Sequence, residues 1–342
     1  MRAFVALALL TAACHHRRPS TPADDAFRRP IDAPAPSTLP DDDGFRHPID
    51  DVPPSLLRPL PLSADLDQAR EPIWDMSALP GALVLAERGY GVLTVNPDNG
   101  EALRNLGFPE VQQVASRDGL VLVGEYEALH AVDAATGAVR WTATIEENPR
   151  ELVFMPDGGS VLAAVHNRVE RRDAATGALR WAWTASPAKN DGDINTVTTL
   201  DVTPDGLTVI AHDGAQVISL VAETGTRTRE ITRLGDTVFA VGLSPDGSLL
   251  VAGSMARDLV LVDFRAGKVL RSFTTPGWVV DVAWSPDGRF FATLDLSGHV
   301  EVRDASGETT LEAAVEGSST SGLLWTETGL LVWSDDRAWT WR

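Results

Sequence analysis

Residues able to do chemistry are few and scattered along this 342-residue chain. The stretch NDGDIN (190–195) sets Asp191, Asp193 and Asn195 at the spacing of a calcium loop, but Thr196 stands at the sixth position instead of glycine. Val202 stands at the twelfth instead of glutamate, so a polar loop is the reading and no metal is expected. The seven histidines form no ligand-like cluster, and no glycine-rich phosphate loop, HExxH helix or nucleophile elbow occurs. The one cysteine is better placed. Cys14 follows a short basic start and an apolar run from Ala3 to Ala13, too short to span a bilayer and therefore read as an export signal over residues 1–13.

The segment MRAFVALALLTAACHH resembles a bacterial lipoprotein signal, with small residues Ala12 and Ala13 before the cysteine and Thr11 where that family prefers leucine. The resemblance implies cleavage before Cys14 and its diacylation. An ordinary signal-peptidase site is the rival, and would leave a free thiol in an oxidising compartment. From His15 to Pro61 the chain holds 11 of its 22 prolines and few apolar residues. Such composition cannot offset ordering entropy, so residues 14–55 are expected to form a disordered tether reaching roughly 130 Å at polyproline rise. Within it, DAFRRPID (25–32) returns as DGFRHPID (43–50), and Phe27 and Phe45 are the candidate contacts of a two-copy docking motif or part of a duplicated spacer.

These candidates need elements to carry them, and the remainder of the chain supplies a repeated one. DAATGAVRW (133–141) recurs as DAATGALRW (173–181), and turns ending in Gly81, Gly119, Gly158, Gly206, Gly247, Gly288 and Gly329 recur at spacings of 38, 39, 48, 41, 41 and 41. A proline followed by Asp-Gly suits a tight turn, because proline presets φ and glycine accepts positive φ. Ahead of each glycine, apolar residues alternate in twos, as in VFAVGLSPDG and VVDVAWSPDG, which marks a strand with one buried face. Three more strand-like segments follow each turn, and DAATGAVRW is the turn from the third to the fourth. The expected fold is all-β: a seven-bladed propeller of four-stranded antiparallel blades, spanning 56–342 with blades from about residue 71. The last blade ends one strand short, and LLRPLPLSADL (56–66) is the available ring-closing strand, with Pro59 and Pro61 tolerated at an edge.

The SPDG turns resemble those of WD-repeat and YVTN-type propellers, and AVDAATGAVRW resembles the quinoprotein (PQQ-like) blade motif. No blade has the Trp-Asp pair of strict WD repeats, so Asp133, Asp173 and Asp263 are expected to bond turn amides. In the quinoprotein family the motif locks neighbouring blades and does not bind the quinone, and the chain is too short for the eight-bladed enzyme. No cofactor is therefore expected.

With 29 basic against 48 acidic residues the net charge is −19, so nucleic acid is not expected as a partner. Partners should meet the face that carries the second-to-third turns and the links between blades. His166, His212 and His299 fall near those turns, and the 48-residue spacing puts the insertion 186–195, with Asn190, Asp191 and Asp193, on the same face. Ten residues before successive turn glycines stand Pro109, Asn148, Thr196, Thr237, Trp278 and Ser319. Trp278 is the candidate hot spot, either exposed at the rim or folded inward. The sequence thus reads as a lipid-anchored envelope protein, in the outer membrane and facing the periplasm or the exterior, that binds protein partners without catalysis. A lactonase-like or quinoprotein-like enzyme using a small molecule in the central channel is the alternative.

Overall fold

Six of the seven turn glycines lie between the first and second strand of a four-stranded antiparallel sheet, the seventh, Gly329, opens the second strand of its sheet, and all seven have positive φ. A computed structural model of the protein describes residues 58–59, 72–187, 196–315, 321–335 and 337–341. Among the described residues there are 28 strands in seven sheets and no helix. Blades 1 to 6 comprise residues 73–107, 113–144, 149–184, 201–233, 238–274 and 279–314. Blade 7 comprises 321–341, completed at its outer edge by Arg58–Pro59, which pairs Arg58 with Thr340 and Pro59 with Trp339. An edge is where a strand can accept proline, because only one side of it needs ladder hydrogen bonds.

The Ser/Thr-Pro-Asp-Gly turns hold themselves. Asp246 Oδ1 accepts from Ser244 Oγ (2.6 Å) and from the Ser248 N–H (3.0 Å), and Asp287 and Asp205 accept from Ser285 and Thr203 in the same way. At the other short turns, Asp133 accepts from the Ala135 and Thr136 amides and Asp173 from the Ala175 and Thr176 amides. Asp263 accepts from the Ala266 amide. Arg140 and Thr136 hold the Asp133 carboxyl down at about 2, and Arg180 and Thr176 do the same for Asp173.

The core is not one cluster but seven, each shared by two consecutive blades. The second strand of blade 1, Ala82–Glu87, shows how the sequence divides it. Leu83 and Leu85 pack into the core with blade 7, whereas Val84 and Ala86 pack into the core with blade 2. Strands buried on both faces read as unbroken apolar runs, as LVLVGE and SVLAAV do. At about 1.5–3 kcal/mol for each fully buried aliphatic side chain, these shared cores make every blade dependent on both neighbours. The core that joins Trp333 of blade 7 to Ile73 and Leu85 of blade 1 closes the ring.

The duplicated nonapeptide has a direct structural meaning. Trp141, in the outer strand of blade 2, lies against Gly177 in the outer turn of blade 3, and its Nε1–H donates to the Ala174 carbonyl (2.8 Å). Trp181 repeats this on Gly225 and the Ala222 carbonyl (2.8 Å). The tryptophan of the first copy therefore covers the glycine of the second. Glycine is required there twice over: φ is +73°, and a Cβ would sit 2.6 Å from the Trp141 ring. The same place is taken by Leu106 over Gly137, Arg229 over Gly267 and Phe273 over Gly307. Trp141→Ala should cost about 3–5 kcal/mol, the range for removing a large buried aromatic, and Gly177→Ala should also destabilise. Both are checked by chemical unfolding, with Gly159→Ala as a control, because Gly159 has no positive φ and meets only its own turn.

Candidate functional site

The central channel and the face of inter-blade links carry the candidate residues. The inner strands of all seven blades line a channel cavity of about 450 Å³. Each of those strands is a sheet edge whose outward N–H groups need acceptors. At three of the seven junctions the preceding blade provides them. Asp75 Oδ2 accepts from the Val114 N–H (2.9 Å), Asp201 Oδ2 from Leu243 (2.7 Å) and Asp281 Oδ2 from Leu323 (2.7 Å). Hydroxyls add to two of these junctions: Ser77 Oγ accepts from the Ser116 N–H (2.9 Å) and Thr199 Oγ1 from the Val241 N–H (3.3 Å). Each of the three aspartates also takes the amide of the residue that follows it.

These carboxyls face a low-dielectric wall. Burial pushes Asp75 up to about 8, the nearby Asp281 adding to it, and pushes Asp201 and Asp281 each up to about 6. Glu151 joins them from blade 3 and is held well above the usual range by burial, then by the charges of Asp75, Asp281 and Asp201. One-residue bulges precede Asp75, Glu151 and Asp281, and their extra residues Trp74, Arg150 and Val280 also line the channel. Among the described residues no group of three His, Cys, Asp or Glu is placed to hold a metal ion. The sequence reading missed this ring, although its signal is present: an acidic residue interrupts the apolar run of the inner strand in IWDMSALPG, LDVTPDG and VVDVAWSPDG.

The three histidines near the second-to-third turns do different things. His166 is half-buried, its Nδ1 3.4 Å from Glu147, and His299 opens a third strand with its amide on Asp295. His212 is 1% exposed and its Nε2 accepts the Thr198 N–H (2.9 Å). That ring takes the place of ladder bonds ahead of the blade 4 inner strand, which is only two residues long (Asp201–Val202).

On the link face, Trp278 lies between blades 5 and 6, half-buried and in none of the seven cores, and its carbonyl accepts from Leu296, which is itself exposed. Ser186, at the start of the insertion, is fixed by its amide and hydroxyl on Asp213 (2.8 and 2.7 Å), which also pairs with Arg227. Asn190, Asp191 and Asp193 lie outside the described residues, as do Cys14, Phe27 and Phe45.

Burial holds the His212 imidazole down at about 4. A histidine depressed in the folded state contributes stability that is complete above its unfolded value of 6.5 and is lost as pH falls towards 4. The loss is about 3 kcal/mol, from about 1.4 kcal/mol for each pH unit. His212→Gln cannot take up this proton. The difference between wild-type and variant unfolding free energies should therefore change by that amount between pH 6.5 and 4, and should be flat above pH 7.

Comparison with known families agrees with this architecture. The PQQ-like family model described as "Outer membrane protein assembly factor BamB" matches residues 64–238, more than half of the chain. The model "WD domain, G-beta repeat" matches residues 267–304, in blades 5 and 6. No curated protein matches the chain. The blade-to-blade docking of Trp141 and Trp181 lies within the first match, and the chain belongs to the PQQ-like propeller family of outer membrane protein assembly factor BamB.

Proposed function

We propose that this protein is a lipid-anchored, non-catalytic scaffold that works in the assembly of outer-membrane proteins. Membership of a family named for that role is the observation that carries the reading. The division of labour within the propeller supports it. Three of the four channel carboxyls are engaged in holding the next blade, so the channel chemistry has a structural use. The link face is free to vary. In this reading residues 1–13 are removed on export, Cys14 carries the diacylglyceryl group, and residues 14–55 tether the propeller to the outer membrane. Partner proteins meet Trp278 and the insertion with Asn190, Asp191 and Asp193, while Phe27 and Phe45 offer a second contact on the tether. The enzymatic alternative would have to use Glu151, the one channel carboxyl without a cross-blade amide among the described hydrogen bonds, beside Arg150.

The intact mass of the protein from the membrane fraction should exceed that of the chain from Cys14 onward by a diacylglyceryl-sized addition, absent from Cys14→Ala. In a strain lacking the gene, outer-membrane β-barrel proteins should fall in abundance. Wild type should restore them, and Cys14→Ala or deletion of 186–195 should restore them poorly. An unmodified soluble chain would overturn the anchor, and unchanged outer-membrane proteins would overturn the assembly role.

A further inference from the structure

The chain has two tyrosines, and both stand exposed at the second-to-third turns of adjacent blades. Tyr90 of blade 1 is 46% exposed and Tyr126 of blade 2 is 57% exposed. The ground between them is continuous. The Gly89 amide, next to Tyr90, donates to the Pro109 carbonyl (2.9 Å), and Pro109 follows Phe108 in the link from blade 1 to blade 2. The Phe108 ring rests on His130 (centroids 4.9 Å apart), and His130 Nε2 lies 3.2 Å from Glu125, the neighbour of Tyr126. Phe108 holds a φ of +66°, a conformation costly for an aromatic residue and kept only where its surroundings impose it. Towards the channel the strip continues through Arg88, which lies over the Trp74 ring (5.9 Å).

The rim of this strip is acidic. Glu110 and Glu127 are exposed. Glu125, Glu146 and Glu147 add to it, facing His130, Arg168 and His166. Arg88, exposed and lying over Trp74, is the one arginine within the strip itself. Aromatic faces within a carboxylate rim suit an arginine that stacks on a ring while its charge meets a carboxylate, next to an apolar side chain.

We propose that this strip, Tyr90–Pro109–Phe108–Tyr126 with Glu110 and Glu127, docks a basic protein segment that presents an arginine beside an apolar side chain. The inference rests on the scaffold reading and adds to it a further contact on the propeller, in a different sector from Trp278.

With two tyrosines in the chain, 3-fluorotyrosine labelling of the full-length protein gives one fluorine resonance on each side of the strip. The probe is a synthetic peptide of arginine, leucine and serine, set against its counterpart with glutamate in place of arginine. Both resonances should shift with the arginine peptide and neither with the glutamate peptide. The shifts should vanish in about 1 M salt, where screening falls to roughly 3 Å. Glu110→Gln with Glu127→Gln should weaken binding roughly 2- to 10-fold, as exposed charge pairs do. Resonances that stay still, that answer both peptides equally, or that ignore salt and the glutamine variants would overturn the proposal. Peptide failure alongside a normal response of outer-membrane proteins to gene deletion would sink the strip and leave the scaffold reading standing.

Discussion

Neighbouring blades of this protein finish one another, and at five of the seven junctions the point of attachment is an outer-strand side chain lying on the turn glycine of the next blade. Trp141 on Gly177 and Trp181 on Gly225 are the fullest cases, each with an indole N–H on a carbonyl of the blade it covers. A single four-stranded sheet has two apolar faces and cannot hide either one alone. The outer docking, the cores shared between blades and the amide bonds around the channel all answer that one constraint. Together they tie the outer edge at five junctions and the inner edge at three.

That occupancy bears on where function can reside. The channel looks like a site, since four carboxyls converge on it and burial raises all four. Yet Asp75, Asp201 and Asp281 each accept an amide from the following blade, as buried edge groups must have a partner. The two ends of the ring also differ. One carries near-identical turns that bond to themselves through Asp133, Asp173, Asp246 and Asp287. The other carries the links between blades and the exposed Tyr90 and Tyr126.

Much of this was legible in the sequence because it repeats. The turn glycines gave blade number and boundaries, since a position that needs positive φ admits few other residues. The truncated last blade pointed upstream to a closing strand, and Arg58–Pro59 supplies it. DAATGAVRW marked the docking turn, with its aspartates bonding turn amides. What could not be read were relations between side chains and backbone across blades. That Asp281 meets the amide of Leu323 depends on how two inner strands splay, and no local pattern states it. Nor did the sequence reveal that Trp278 would be half-buried, between the exposed and the inward alternatives, or that His212 would replace a stretch of ladder in blade 4. Tyr90 and Tyr126 stand at turn tips, which leave no periodic trace in the sequence.

The most direct test of a scaffold that works through its link face is site-specific photo-crosslinking in intact cells. One photoreactive residue would replace Trp278 on the link face. Another would replace Leu207, which is 68% exposed beside a turn glycine on the opposite face. A discrete adduct with an envelope protein is expected from position 278 and none from position 207. Adducts from 207 alone, or from both positions alike, would contradict it.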